Sequence, residues 1–205
     1  MLIERPPLIY RAFFPEAIWR IQRPGTKTAY LTFDDGPIPE VTPWVLDTLA
    51  LYNVKATFFM VGENVRKHPE LFERIKAEGH SYGNHTMNHR VGHKSSFHTY
   101  AHDIALADSL IGSHLFRPPH GLMGWEQARA IKQRYNIIMY DVVTRDYNRS
   151  FKPNRIFQNV CRYTRNGSII VFHDSLKAWH NMSNALPQSI EWLRQQGYEL
   201  CPIPM

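Results

Sequence analysis

Short apolar runs alternate with helix-patterned segments along almost the whole chain, and this alternation restricts the fold more than any other feature. Thr28 to Phe33 (TAYLTF) reads as a strand running into the turn signal Asp35-Gly36-Pro37. Thr42 opens a helix with Pro43 at its first position and Trp44, Leu46, Leu49 and Leu51 as apolar contacts. Val54 to Val61 is a second strand, apolar enough to be buried on both faces. A helix from His68 to Ala77 starts at Pro69 and stops at Gly79. Further strands are expected near His80 to Gly83, at Leu115-Phe116, from Asn136 to Val142, Ser168 to Phe172 and Tyr198 to Cys201. Helices are expected over Tyr100 to Ile111, Trp125 to Arg134, Arg155 to Tyr163 and Pro187 to Gln195. About seven strand–helix units with short connections predict a parallel sheet. A full eight-unit barrel takes ~250 residues. With 205, the expectation is an α/β fold, a distorted, short or incomplete (β/α) barrel. The chain shows no linker or repeat, so residues 1–205 read as one domain with a motif-bearing core of about 28–201.

Composition excludes several classes. Hydrophobic residues make up 43% and charged residues 20%, which fits a globular protein. Cys161 and Cys201 are too few for a disulfide scaffold or a four-thiolate zinc site, and read as reduced thiols. No stretch approaches the ~20 apolar residues of a membrane span. No apolar run suits a signal peptide, so a cytoplasmic location is expected. The LIYRAFFPEAIW segment is read as covering part of the fold, with an interfacial anchor as the alternative. Net charge is +6, but without a run of five like charges or a nucleic-acid motif it reads as scattered surface charge, and no nucleic-acid partner is expected.

The unusual polar residues nearly all follow strands. Asp34 and Asp35 end the first, His85 and His89 follow the third, Arg117 follows Phe116, Asp146 follows the 136–142 strand, and His173 ends SIIVF. In a parallel barrel the C-terminal strand ends gather on one face, which carries the active site. His85 and His89, at i and i+4, share a face if they sit on a helical turn, and with Asp35 would hold one divalent metal. Zinc suits these ligands, and cobalt, nickel or iron also fit. Such an ion lowers the pKa of a bound water toward ~7 and polarises a carbonyl. Asp34, beside a ligand, suits a general base, with Arg117 as the cation that keeps it ionised. His173 suits an acid that protonates a leaving nitrogen, held by Asp146. Asp174 is read as facing away.

In this order, Thr32-Phe33-Asp34-Asp35-Gly36-Pro37, His85-Thr86-Met87-Asn88-His89, Arg117-Pro118-Pro119-His120-Gly121, Arg145-Asp146-Tyr147 and Val171-Phe172-His173 resemble the five motifs of the polysaccharide deacetylase family. This is the NodB-homology domain, or carbohydrate esterase family 4. The resemblance runs from about Tyr30 to His173. It implies a distorted (β/α) barrel and metal-dependent removal of acetyl groups from N-acetylated sugars, with O-acetyl ester cleavage as the alternative. It implies Asp34 as base, Asp35, His85 and His89 as ligands, Arg117 positioning Asp34, His173 as acid and Asp146 tuning it. The backbone N–H near His120 would serve as oxyanion donor, and Val171 would line the acetyl pocket.

Four positions depart from the family pattern. Tyr147 replaces a common Trp, His120 a common Tyr, Val171 a common Leu, and Val143 a common acidic residue; none removes a catalytic group. Trp125 is read as a residue that stacks on a sugar ring, and Trp179-His180 as a shaper of the groove. Asn84 and Asn88 read as turn residues. His93, His98 and His102 lack a matching carboxylate and read as surface or groove residues. A metal-retaining sugar-binding module without turnover is the other reading kept open, motivated by the substituted groove positions.

Overall fold

The computed structural model describes residues 4–205. Seven parallel strands form one curled sheet in the order β5-β4-β3-β2-β1-β7-β6. They are β1 (Thr28–Asp34), β2 (Thr57–Met60), β3 (Ser81–Asn84), β4 (Leu115–Phe116), β5 (Asn136–Ile137), β6 (Val142–Val143) and β7 (Ser168–His173). An eighth, β8 (Glu199–Leu200), pairs with the start of β1. The helices are α1 (Leu8–Ala12), α2 (Thr42–Leu51), α3 (Gly62–Lys67), α4 (Pro69–Ala77), α5 (Phe97–Ile111), α6 (Trp125–Ile131), α7 (Pro153–Tyr163) and α8 (Trp179–Gln195). The expected incomplete barrel is therefore the fold observed. No helix among the described residues is long and apolar enough to cross a membrane.

The two-residue period of a strand aims the site. Ala29, Leu31 and Phe33 of β1 join Phe58, Ile170 and Phe172 in the core under the helices. Tyr30 points the other way, into a second core with Phe59, Ile169, Val171, Leu115 and Tyr140. By the same alternation Thr32, Asp34 and His173 belong to the inner face, and Asp34 is paired in register with His173. Ile203, from the C-terminal tail, closes the inner core against Thr57 and Ser81. On the open side of the curl, Ile18 bridges Ile138 and Arg20 bridges Ser168. The N-terminal segment does cover part of the fold.

Several expectations are corrected. The 136–142 stretch is not one strand: Met139 N donates to Ile18 O, and the Ile138 and Met139 carbonyls accept from Arg117. Pro187 lies inside α8 rather than at its start, because the buried stripe of Met182, Leu186, Ile190 and Leu193 continues through it. The loss of one N–H there is outweighed by packing. Leu51, expected to pack, is 81% exposed at the end of α2. Helix α3 carries no periodic signal in the sequence, since GENVRK has only one apolar anchor, Val65.

Candidate active site

Asp34, Asp35, His85, His89, His120, Gly121, Tyr140, Val143, Tyr147, Val171, His173, Ser175 and Lys177 line one cleft of about 410 Å³ at the C-terminal ends of the strands. This size suits a small-molecule or sugar site. Sequence reasoning did not single out Ser175, Lys177 or Tyr140. Tyr140 lies in the break between β5 and β6, and Ser175 and Lys177 sit on a loop, so none of the three carries a periodic signal.

His89 Nε2 lies 3.3 Å and His85 Nε2 3.8 Å from Asp35 Oδ1. The three donor atoms lie within 4.8 Å of one another. Donors that share a tetrahedral zinc at ~2.0–2.2 Å are spaced roughly 3.4 Å apart, so the triad fits such an ion. His85 Nδ1–H donates to Arg117 O at 2.8 Å, which leaves Nε2 with its lone pair toward Asp35. Burial, with His89 alongside, holds His85 well below the ordinary histidine range, in the neutral form a metal requires.

The i, i+4 spacing does not work through a helical turn, as expected from sequence. Residues 85–90 are irregular, and Thr86 and His89 adopt left-handed φ values of 65° and 51°. Side chains brace this loop. Asn84 Oδ1 accepts from Thr86 N at 2.8 Å, and Thr86 Oγ1 accepts from Arg90 N at 2.9 Å. The buried Asp103 carboxylate takes both Asn88 N and Asn88 Nδ2. Asp35 is itself left-handed, at φ 86°, with its carbonyl held by Asn64 Nδ2 at 2.8 Å.

Arg117 is fully buried and every nitrogen of its guanidinium is engaged. Nε donates to Ile138 O, Nη2 to Met139 O, and Nη1 to Thr32 Oγ1 and Asp34 Oδ1, the last at 2.6 Å. Asp34 is thus oriented by an arginine that cannot swing away.

On the far side, Asp146 is fully buried and accepts from His173 Nδ1 and from His173 N, each at 2.7 Å. Burial by itself lowers the His173 pKa, but the Asp146 carboxylate overrides it and raises the value to about 9. Tyr147 stands edge-on to His173, with ring centroids 4.9 Å apart. Asp174 does not line the cleft, but it is not idle. Its carboxyl accepts from Gly36 N at 3.0 Å and Thr42 Oγ1 at 2.6 Å, and burial pushes it up to about 8.

His120 sits in a 3-10 turn with φ 59° and packs its ring 4.7 Å from His89, centroid to centroid. Among the described residues its main-chain N–H has no hydrogen-bond partner. Trp125 is not brought to the cleft. It is 58% exposed beside Arg129 and lines a separate hollow with His93, Ser95 and Phe97. Trp179 packs edge-on against Trp44 rather than lining the groove.

A family model described as polysaccharide deacetylase matches residues 21–137. The chain belongs to the polysaccharide deacetylase family. A chitooligosaccharide deacetylase of Bradyrhizobium sp. (strain ANU 289) is 34% identical over 202 residues, covering 88% of this chain and 90% of the relative. The crystal structure of the peptidoglycan N-acetylglucosamine deacetylase Bc1960, bound to an N-hydroxybenzamide, superposes with a TM-score of 0.88 at 30% identity, covering 97% of this chain and 95% of that one. BA3943 of Bacillus anthracis, described as a CE4 family pseudoenzyme, superposes with a TM-score of 0.81 at 26% identity, covering 91% of this chain and 67% of that one. The architecture is therefore shared by a deacetylase and by a protein described as a pseudoenzyme, and the site residues carry the functional argument.

Proposed function

We propose that this chain is a hydrolase that removes the acetyl group from N-acetylated sugars, with Asp35, His85 and His89 holding one divalent metal, for which zinc is the best match. One observation carries the reading: a complete acid, base and ligand set, drawn from three separate segments (34–35, 85–89 and 173), opens into a single cleft. The relatives' names, which specify chitooligosaccharide and peptidoglycan N-acetylglucosamine deacetylases, support this substrate class.

When bound, the metal supplies Lewis-acid polarisation of the acetyl carbonyl and makes a water acidic near neutral pH. Asp34, with Oδ1 committed to Arg117, offers its other oxygen to the proton of the attacking water. The His120 N–H would donate to the developing oxyanion, where one such donor is worth ~3 kcal/mol. His173, protonated on both nitrogens below about pH 9, gives its Nε2 proton to the departing amine. Water's oxygen ends on the acyl carbon and its protons on Asp34 and, through His173, the amine, giving acetate and a free amino sugar. Val171 and Tyr147 form the apolar wall for the acetyl methyl.

The test is acetate release from N-acetylglucosamine oligomers by the chelator-stripped protein, alone and with zinc or cobalt added. Asp34→Asn is assayed in parallel, with its melting temperature and metal content measured. Release restored by metal and lost in Asp34→Asn at full metal content supports the reading. An Asp34→Asn protein as active as wild type overturns the base. Release from O-acetyl esters but never from N-acetyl sugars would assign the ester reaction instead.

A further inference from the structure

Helix α1 presents its apolar side to solvent. Leu8 is 81% exposed, Ile9 71% and Phe13, the residue that caps the helix, 63%. Ala12 is exposed as well. At ~100° per residue these four fall within one sector of about 140°. Tyr10 and Arg11 lie on the other side and face the protein. Tyr10 stacks edge-on with Phe14 and Trp19 and donates to Gly121 O. Arg11 donates to the buried Asp141 and lies over the Trp19 ring. The polar side is used for anchorage, and the apolar side has no partner among the described residues.

The ground around this face is cationic. Leu8 shares a surface hollow with Arg5, Arg11 and Arg165. These three guanidiniums are set against a single carboxylate, Asp141, which leaves surplus positive charge. Arg5 and Arg165 keep 36% and 39% of their side chains exposed. Nearby, Glu4 forms ion pairs with both Arg145 and Arg155. Exposed aliphatic and aromatic side chains ringed by excess guanidinium match a surface with an apolar interior and anionic head groups. The helix is far too short to span such a layer and can only lie in its boundary.

We propose that α1 docks this chain on an anionic lipid bilayer, with Leu8, Ile9 and Phe13 at the headgroup–acyl boundary and Arg5 and Arg165 against lipid phosphates. The Tyr10–Gly121 hydrogen bond ties the docked helix to a residue of the cleft wall. This docking stands independently of the catalytic reading.

The test is co-sedimentation of the full chain with phosphatidylcholine vesicles, with and without phosphatidylglycerol, beside Leu8→Ser/Ile9→Ser/Phe13→Ser. Wild type is expected to sediment with the phosphatidylglycerol vesicles, less so in high salt and on neutral vesicles. The triple variant is expected to bind about tenfold or more weakly while keeping its melting temperature. Wild type left in the supernatant, or a triple variant that binds equally, overturns the proposal. Binding that ignores salt and lipid charge overturns the anionic part. A lipid-free dimer in sedimentation velocity that the triple variant abolishes would give this face to a second copy of the chain, and also overturns it.

Discussion

The Asp146 carboxylate grips His173 twice, at the ring Nδ1 and at the main-chain N–H, each at 2.7 Å. Ring orientation and charge are thus set by one buried group. Burial lowers the His173 pKa and Asp146 raises it, with a net value of about 9. A donor of this kind predicts an alkaline limb in kcat/KM near pH 9. In Asp146→Asn the burial remains without its main counterweight, so the limb should move to lower pH. The sign for stability follows from the raised value. The stabilisation is complete below 6.5, is lost as pH rises through about 9, and should be missing from the pH dependence of Asp146→Asn unfolding. An unshifted limb would count against His173 as the acid.

Arg117 and Asp34 form a buried pair at 2.6 Å. Removing one partner of such a pair leaves an uncompensated charge, at about 3–5 kcal/mol. Arg117→Met and Asp34→Asn are therefore each expected to unfold at lower urea. The double variant should lose clearly less than the sum of the two, because it buries no orphan charge. Additive losses in urea melts would show that the two side chains do not act as a pair.

Metal removal should cost stability as well as activity. A ligand present at ~100 times its Kd stabilises the folded state by ~2.7 kcal/mol. Zinc added to chelator-treated protein should raise the melting temperature. His85→Ala and Asp35→Ala should abolish both this rise and the bound metal measured by elemental analysis. If His89→Ala retained one metal per chain with unchanged affinity, the ligand set drawn from Asp35, His85 and His89 would be wrong.

Gly36 has a steric duty. A Cβ there would run into the Asp174 carboxyl, which already holds Gly36 N and Thr42 Oγ1. Gly36→Ala should displace Asp174 or the turn that carries Asp35, at about 1–3 kcal/mol for overpacking. A fall in both melting temperature and zinc affinity is expected in thermal melts and titration calorimetry. A variant with unaltered zinc affinity would separate the turn from the ligand.

The site was unusually legible because its chemistry sits in short ordered segments. Asp34, Asp35, Arg117, Asp146 and His173 each lie at or just beyond a strand end, and strand ends can be read from local hydrophobic runs. The misreadings have a common origin. The 85–89 spacing looked helical because i, i+4 is the helical signature, yet left-handed turns at Thr86 and His89 bring the imidazoles together through Asn84 and Asp103. Trp125 looked like a sugar platform because it follows the Arg117 segment, but α6 carries it away from the cleft.

Local sequence by itself determined the strand–helix order and the identity of the ionisable groups, because periodicity and turn residues act over a few positions. It also determined which β1 residues share a face, since alternation along a strand needs no tertiary contact. Only the tertiary structure decided that Arg117 spends its donors on Thr32, Asp34, Ile138 and Met139, that Asp174 braces Gly36, and that α1 turns its apolar side outward. Those relationships join residues tens of positions apart. Hydrogen-bond partners at that separation are chosen by how the sheet curls and what it buries, which no local pattern encodes.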